Sequence, residues 1–228
     1  MQTRRSRPVQ AVNALTLRER ILADTAFVPA GTLVPEIGLY LATTPREILR
    51  EAAADRVNRS EPPYWAFAWP GGQALARYIL DNPEHVRGKH VLDIGAGSGI
   101  TAVAVMLAGG RSVIANDIDP LACVAAALNA EGNDVALKIS GTDLLETAPG
   151  CDLMIIGDLI YEPALEIRVT AFLKVAQRAG IPVLFGDRAT SRLPSLPFRQ
   201  IAQYDTIVAP PLEDGYVEIA RIWRLDPP

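Results

Sequence analysis

The hydrophobic positions from about residue 72 onward follow two alternating patterns. Short apolar runs between glycine, proline or charged residues predict buried strands. Longer segments with apolar side chains three and four positions apart predict helices, several of which begin at proline or end at glycine. The predicted strands are KHVLDI (89–94), RSVIAND (111–117), VALKIS (135–140), CDLMIIGD (151–158) and IPVLFGD (181–187). The predicted helices are GGQALARYILDN (71–82), TAVAVMLAGG (101–110), PLACVAAALNAEGN (120–133) and PALEIRVTAFLKVAQRAG (163–180).

This alternation of strands and helices is typical of a doubly wound, Rossmann-like α/β sheet whose strands run mostly parallel. Two further segments near the end, FRQIAQY (198–204) and YVEIARIWRL (216–225), alternate as strands do. No full helix separates them, so one of the two is expected to run antiparallel at the sheet edge.

The first 60 residues lack this regular alternation and are interpreted as an N-terminal extension of helices and a short strand. We expect residues 1–12 to be a disordered basic tail, and residues 61–228 to form the main domain. The expected elements of the extension are a helix over 15–27, a turn over 28–35, a short strand over 36–42 and a helix over 45–55. The segment EPPYWAFAWPGG (61–72) then predicts a rigid loop rich in aromatic residues and proline.

Composition excludes several classes of protein. The 228 residues are 49% hydrophobic and carry a formal charge of −4, so the chain folds around a core and does not hold nucleic acid by bulk charge. No apolar run is long enough to cross a membrane. Two separate cysteines, Cys123 and Cys151, and two histidines, His85 and His90, give no metal-ligand pattern. We therefore expect no metal, a reducing compartment and no secretory signal.

The segment VLDIGAGSGI (91–100) carries the most chemical information. An apolar strand ends there in a turn with three glycines, Gly95, Gly97 and Gly99, and a helix follows. Glycines allow a ligand to approach the backbone, and a helix N-terminus offers free N–H groups. Asp117, at the end of the next strand, is placed to accept hydrogen bonds from ribose hydroxyls. The sequence therefore predicts a nucleotide or nucleoside site.

Two details separate the possible ligands. A dinucleotide loop of the GxGxxG type needs a glycine where this chain has Ile100. Asp93, two residues before the first glycine, would repel a pyrophosphate but suits a cationic ammonium group. The VLDxGxGxG spacing resembles the S-adenosylmethionine loop of class I, seven-β-strand methyltransferases. That resemblance implies that Thr142 and Asp143 lie near the adenine, and that Asp158 and Tyr161 lie near the reacting methyl group. Turn or helix capping is the structural alternative for Asp143 and for Asp158.

A narrower resemblance rests on PYWAFAWPGGQALARYILDNPEHVRGKHVLDIGAGSG, ANDIDPLA and GDLIYE. These segments resemble the electron transfer flavoprotein β-subunit lysine methyltransferases, over residues 33 to about 190. The D-x-x-Y pair Asp158 and Tyr161 matches that family's motif. The one PPY, at residues 62–64, precedes the glycine loop, so it does not fit the amino-methyltransferase motif that follows strand four.

The resemblance implies S-adenosylmethionine as cofactor, S-adenosylhomocysteine as product and lysines of the flavoprotein β subunit as acceptors. It places Trp69 beside the cofactor and Asp158 beside both cofactor and acceptor. Tyr64, Trp65, Phe67 and Glu162 are expected along a channel for the acceptor, and plain core packing is the structural alternative for the aromatic residues. Aromatic faces can hold an ammonium group, and an apolar channel lowers the pKa of a lysine. The chain is expected to be a monomer without nucleic-acid or membrane partners. A bacterial cytoplasmic protein is expected, or a mitochondrial matrix protein if the source is eukaryotic.

Three other functions remain open at this point. The acceptor could be another protein, such as a ribosomal protein, since nothing in the sequence specifies which lysine is methylated. A nicotinamide-dependent oxidoreductase would share the strand–glycine–helix unit, although Ile100 argues against it. A noncatalytic nucleoside-binding module is disfavoured by the intact Asp158 and glycine loop.

Overall fold

A computed structural model describes residues 16–44, 63–145, 150–188, 193–207 and 217–228. The strands are β1 (Thr25–Pro29), β2 (Gly38–Ala42), β3 (His90–Ile94), β4 (Ser112–Asn116), β5 (Lys138–Ser140), β6 (Leu153–Gly157), β7 (Val183–Arg188), β8 (Arg199–Ile207) and β9 (Val217–Leu225). The α-helices are α1 (Leu17–Asp24), α2 (Pro70–Asp81), α3 (Ile100–Leu107), α4 (Pro120–Gly132) and α5 (Pro163–Arg178). Short 3₁₀ helices cover Tyr64–Ala66 and Pro83–His85.

Seven strands form the main sheet in the order β5-β4-β3-β6-β7-β9-β8. Strands β3 to β7 pair in parallel, whereas β9 runs antiparallel to both β7 and β8. This confirms the doubly wound sheet with antiparallel pairing at one edge. The reversed strand is β9, and β8 pairs outside it.

Alternate residues of the central strands enter two separate cores. Leu153 and Ile155 of β6 pack with α2 and α3 on one face, whereas Met154 and Ile156 pack with α5 on the other. The strands of such a sheet are buried on both faces, which is why their sequences are continuously apolar. No helix of the described part is long and apolar enough to cross a membrane.

The extension forms a small hairpin in which β1 pairs antiparallel with β2. Strand β1 lies where the sequence predicted the end of a helix and the start of a turn, so the helix ends earlier than predicted, at Asp24. The next strand was predicted correctly. The predicted tail and the predicted helix over 45–55 lie outside the described residues.

Two asparagines, one in the last turn of α4 and one directly after that helix, bind the hairpin to the main domain. The side chain of Asn133 both accepts a hydrogen bond from the Gly38 amide (2.9 Å) and donates one to the Gly38 carbonyl (2.7 Å). One turn earlier, Asn129 accepts from the Tyr40 amide at 2.7 Å. Its amide nitrogen donates to the carbonyl of Ser98, also at 2.7 Å, within the glycine loop. Asn129 is fully buried and thus links the hairpin to that loop.

Candidate active site

A cavity of about 330 Å³ opens at the carboxyl ends of β3, β4, β6 and β7. Open α/β sheets bind their ligands at this edge, and the volume is that of a small-molecule site. The predicted site residues that line it are Tyr64, Trp65, Phe67, Trp69, Asp93, Gly95, Gly97, Asp117, Asp143, Asp158 and Tyr161. Among the described residues, Gly99, Thr142 and Glu162 do not line this cavity.

The glycine loop connects β3 to α3 with three glycines in the left-handed region. Gly95, Gly97 and Gly99 have φ values of 68°, 52° and 78°. A β-carbon on Gly95 would lie 2.6 Å from a methyl of Leu159, and one on Gly99 would lie 3.0 Å from the β-carbon of Ala126. Both conformation and space therefore require glycine at these two positions. Gly99 does not line the cavity; it lies on the other side of the loop and lets the loop pack closely against α4.

Asp93 lies at the base of this loop and is 1% exposed. Its carboxylate accepts a hydrogen bond from the hydroxyl of Thr101 in α3. Burial raises the pKa of Asp93 to about 7, since the Thr101 hydrogen bond only partly compensates for the loss of water. A cation placed beside this carboxylate would favour its ionised form.

Asp117 follows β4 and faces the same loop. Its two oxygens accept the amide hydrogens of Gly97 at 2.8 Å and of Asp119 at 3.0 Å. Burial raises the pKa of Asp117, and these amide bonds oppose the rise. Each carboxylate oxygen has a second lone pair, so Asp117 can still accept ligand hydroxyls.

Asp143 borders the cavity, and each of its two carboxylate oxygens already has a hydrogen-bond partner within the protein. One oxygen accepts the Leu145 amide hydrogen at 3.2 Å in a turn, and the other pairs with Arg168 of α5 at 2.5 Å. This Arg168 bond holds the pKa of Asp143 below its usual range. The neighbouring Thr142 uses its backbone carbonyl, which accepts from Asn116 at 2.8 Å. The predicted adenine contact of this segment stays a prediction.

Asp158 follows β6 and joins it to the start of α2. Its Oδ2 accepts the Gly72 amide hydrogen at 3.0 Å, in the first turn of that helix. Its own amide donates to the Gly186 carbonyl at 2.9 Å, and its φ is 47°, unusual for a residue with a side chain. Burial raises the pKa of Asp158 to about 7, although the amide hydrogen bonds and Arg188 oppose this rise. Asp158 thus both borders the cavity and caps α2.

An aromatic cluster forms one wall of the cavity. The Trp69 ring lies edge-on to Phe67 and Tyr64, with ring centres 5.6 and 5.9 Å apart. Its indole N–H donates to the Tyr64 carbonyl at 2.8 Å. Tyr161, which is half exposed, lies 5.2 Å from the Tyr64 ring centre. Trp65 is buried behind them against α4. The predicted channel residues other than Glu162 therefore do lie together.

The sequence analysis did not name two acids that line the cavity, Asp119 and Asp187. Asp119 caps the start of α4 through a hydrogen bond from the Leu121 amide. Asp187 lies near the end of β7 directly after Gly186, and Asp158 directly follows Gly157 of β6; those two glycines are paired. The same signal, an acid at the carboxyl end of a buried parallel strand, could have identified it. Arg188, beside it, also lines the cavity.

Curated relatives cover almost the whole chain. The electron transfer flavoprotein beta subunit lysine methyltransferase of Rattus norvegicus is 37% identical over 221 residues, which span 93% of this chain and 86% of that protein. The protein of the same name in Danio rerio is 40% identical over 174 residues, spanning 75% of this chain and 67% of the relative.

The family model of ribosomal protein L11 methyltransferase (PrmA) matches residues 74–171. Two solved structures share the fold. The ribosomal protein L11 methylase of Lactobacillus delbrueckii has a TM-score of 0.51 at 22% identity, covering 69% of this chain and 79% of that one. The magnesium protoporphyrin IX methyltransferase of Synechocystis, with bound S-adenosylhomocysteine, has a TM-score of 0.50 at 15% identity, covering 69% and 81%. Given the identity and coverage of the curated relatives, this chain belongs to the family of electron transfer flavoprotein β-subunit lysine methyltransferases.

Proposed function

We propose that this enzyme transfers methyl groups from S-adenosylmethionine to lysine side chains of the electron transfer flavoprotein β subunit. One observation carries the proposal: the glycine loop, the acids at the carboxyl ends of β3, β4 and β6, and the aromatic cluster all border a single cavity. The names of the curated relatives supply the acceptor.

The cavity residues fit the cofactor's chemistry. S-adenosylmethionine, when bound, supplies a methyl group on a sulfonium ion. Asp93 would face the ammonium of its methionyl end, and Asp117 would accept its ribose hydroxyls. Asp143 would be available to the adenine only on the side that Arg168 and the Leu145 amide leave open. The amides at the start of α3 would complete the contacts.

The acceptor lysine would enter along the aromatic cluster. A lysine has an ordinary pKa of about 10.4, so its ammonium must lose a proton before the nitrogen can attack. Desolvation between Tyr64, Phe67 and Trp69 lowers that pKa, and the proton leaves to solvent. The nitrogen–carbon bond then forms as the carbon–sulfur bond breaks. The protein contributes mainly alignment and electrostatics to this displacement.

The test is to incubate the enzyme with the folded flavoprotein and isotope-labelled S-adenosylmethionine. We expect methyl groups on lysines of the β subunit, located by peptide mass spectrometry. An excess of S-adenosylhomocysteine should suppress the label, and heat-denatured enzyme should give none. If the β subunit stays unlabelled while another protein of the same lysate gains methyl groups, the acceptor assignment is wrong and the methyltransferase activity stands.

A second acceptor has some support from the family model. The match to the ribosomal protein L11 methyltransferase model covers residues 74–171, which include the glycine loop, Asp117 and Asp158. It does not include the aromatic residues 64–69, so it says little about which protein is methylated. Ribosomal proteins should therefore be offered in the same assay, separately and in competition. Label on them in preference to the flavoprotein would favour this alternative.

A further inference from the structure

Two carboxylates, Asp158 and Asp187, directly follow the paired glycines Gly157 and Gly186, and they have different hydrogen-bond partners. Asp158 accepts the backbone amide at Gly72 at the start of α2, so its charge is used in capping that helix. Asp187 accepts the indole N–H of Trp223 at 3.2 Å through Oδ1. Within the described part of the chain, no donor reaches its Oδ2. Asp187 therefore keeps one oxygen that can accept a hydrogen bond from a ligand.

Asp187 is 4% exposed yet borders the cavity. Burial of a carboxylate is costly, which favours positive groups beside it. The charged groups around it are Arg188 on its own strand, Arg221 on β9 and Asp158. Arg188 lies 3.9 Å from Glu218, and that acid balances part of its charge. Burial outweighs both arginines and raises the pKa of Asp187 to about 6.

We propose that Asp187 is the specificity-determining carboxylate for the acceptor, and that it binds the ammonium of the incoming lysine before the proton leaves. This assignment rests on the proposed function. The Trp223 N–H fixes one oxygen of Asp187. The carboxyl group lines the same cavity as Asp158, since each acid directly follows one of the paired glycines Gly157 and Gly186. A neutral side chain of the same length would lose this interaction, so the enzyme would prefer lysine over uncharged acceptors.

The test compares three variants in steady-state kinetics with the flavoprotein as acceptor. Asp187→Asn is isosteric and keeps an oxygen for Trp223, but it removes the charge. We expect KM for the acceptor to rise about tenfold or more, with the affinity for S-adenosylhomocysteine unchanged. Asp187→Glu changes the shape and keeps the charge, so it should retain more acceptor affinity than Asp187→Asn. Asp152→Asn is the control, since Asp152 lies at the opposite end of β6 and accepts the His90 amide.

The pH profile separates a charge effect from packing. Because Asp187 binds the ammonium only when ionised, the ratio of the two KM values, Asp187→Asn over wild type, should grow as pH rises through about 6. If Asp187→Asn stays within twofold of wild type, or Asp187→Glu is the weaker of the two variants, the assignment is wrong while lysine methylation stands. If the wild-type enzyme labels no lysine of the flavoprotein, the proposed function fails, and this assignment fails with it.

Discussion

At the scale of single residues, the acids of the cavity differ in what already binds them. Asp143 pairs with a guanidinium at the surface, Asp117 with two amides, and Asp93 with one buried hydroxyl. These partners, together with burial, determine whether the pKa of each acid is raised or lowered. The Arg168 pair lowers the pKa of Asp143, whereas burial raises those of Asp93 and Asp117. A cationic ligand placed beside Asp93 would offset the cost of burying its carboxylate.

Asp117→Asn should weaken cofactor binding. The substitution keeps one oxygen for the Gly97 amide but removes the charge and one acceptor. Charge-assisted hydrogen bonds to the ribose are worth about 1.5–3 kcal/mol, so the dissociation constant for S-adenosylhomocysteine should rise at least tenfold. Isothermal titration calorimetry measures this. Asp205→Asn, an exposed acid on β8, serves as the charge-matched control, and equal affinities in all three proteins would refute the ribose assignment.

At the scale of elements, the start of α2 packs on the sheet with backbone against backbone. A β-carbon on Gly71 would lie 2.5 Å from the Gly186 carbonyl oxygen and 2.7 Å from Oδ2 of Asp158. A β-carbon on Gly186 would in turn lie 2.6 Å from the Gly71 carbonyl oxygen. The WPGG segment is therefore a contact surface, with Pro70 at the first helical turn and glycines where the helix approaches β7.

Gly71→Ala should be strongly destabilising. The added methyl meets a carbonyl oxygen and a buried carboxylate, neither of which is the end of a flexible side chain. Overpacking of this kind costs about 1–3 kcal/mol, so the melting temperature should fall by several degrees and the Asp158 cap should be displaced. Differential scanning calorimetry tests this. Gly150→Ala provides the comparison because its β-carbon meets nothing within 4 Å, and equal losses in the two variants would contradict the packing argument.

The sheet and the glycine loop could be predicted because their signals are local. Strands such as 153–157 are continuous apolar runs, and the loop lies within ten residues of sequence. The Asp158 cap joins positions 86 residues apart, and the Asn129 contacts span 31 and 89 residues. No local pattern reports such partners. Strand β1 was missed because its residues, TAFVP, directly follow a helical pattern and end at proline.

At the scale of the whole molecule, burial makes folding depend on pH. Asp93 and Asp158 have pKa values of about 7 in the folded enzyme, against an ordinary 3.8. The folded state therefore binds protons more tightly than the unfolded state. The free energy of unfolding should consequently decrease as pH rises from about 4 to about 7, as far as these two groups determine it.

The affinity for S-adenosylhomocysteine should depend on pH in the opposite direction from folding, because of Asp93. The ligand's ammonium favours the ionised carboxylate, so binding near pH 7 should release protons and be up to about tenfold tighter at pH 8 than at pH 6. Calorimetry in two buffers with different ionisation enthalpies measures the proton release. Asp93→Asn should abolish the proton release that comes from Asp93. A wild-type enzyme that exchanges no protons on binding would contradict the placement of the ammonium.

The asparagine contacts of the hairpin also affect whether its edge can pair with a strand of another molecule. A strand at the end of a sheet presents free N–H and C=O groups that can recruit a strand from another molecule, a common start of aggregation. On β2 the N–H and C=O of Gly38 are bound by Asn133, and the N–H of Tyr40 is bound by Asn129. Side chains at the end of α4 and directly after it thus take the place of part of an additional strand. The β2 edge therefore offers fewer free backbone groups to a strand of another molecule, although the hairpin has only two strands.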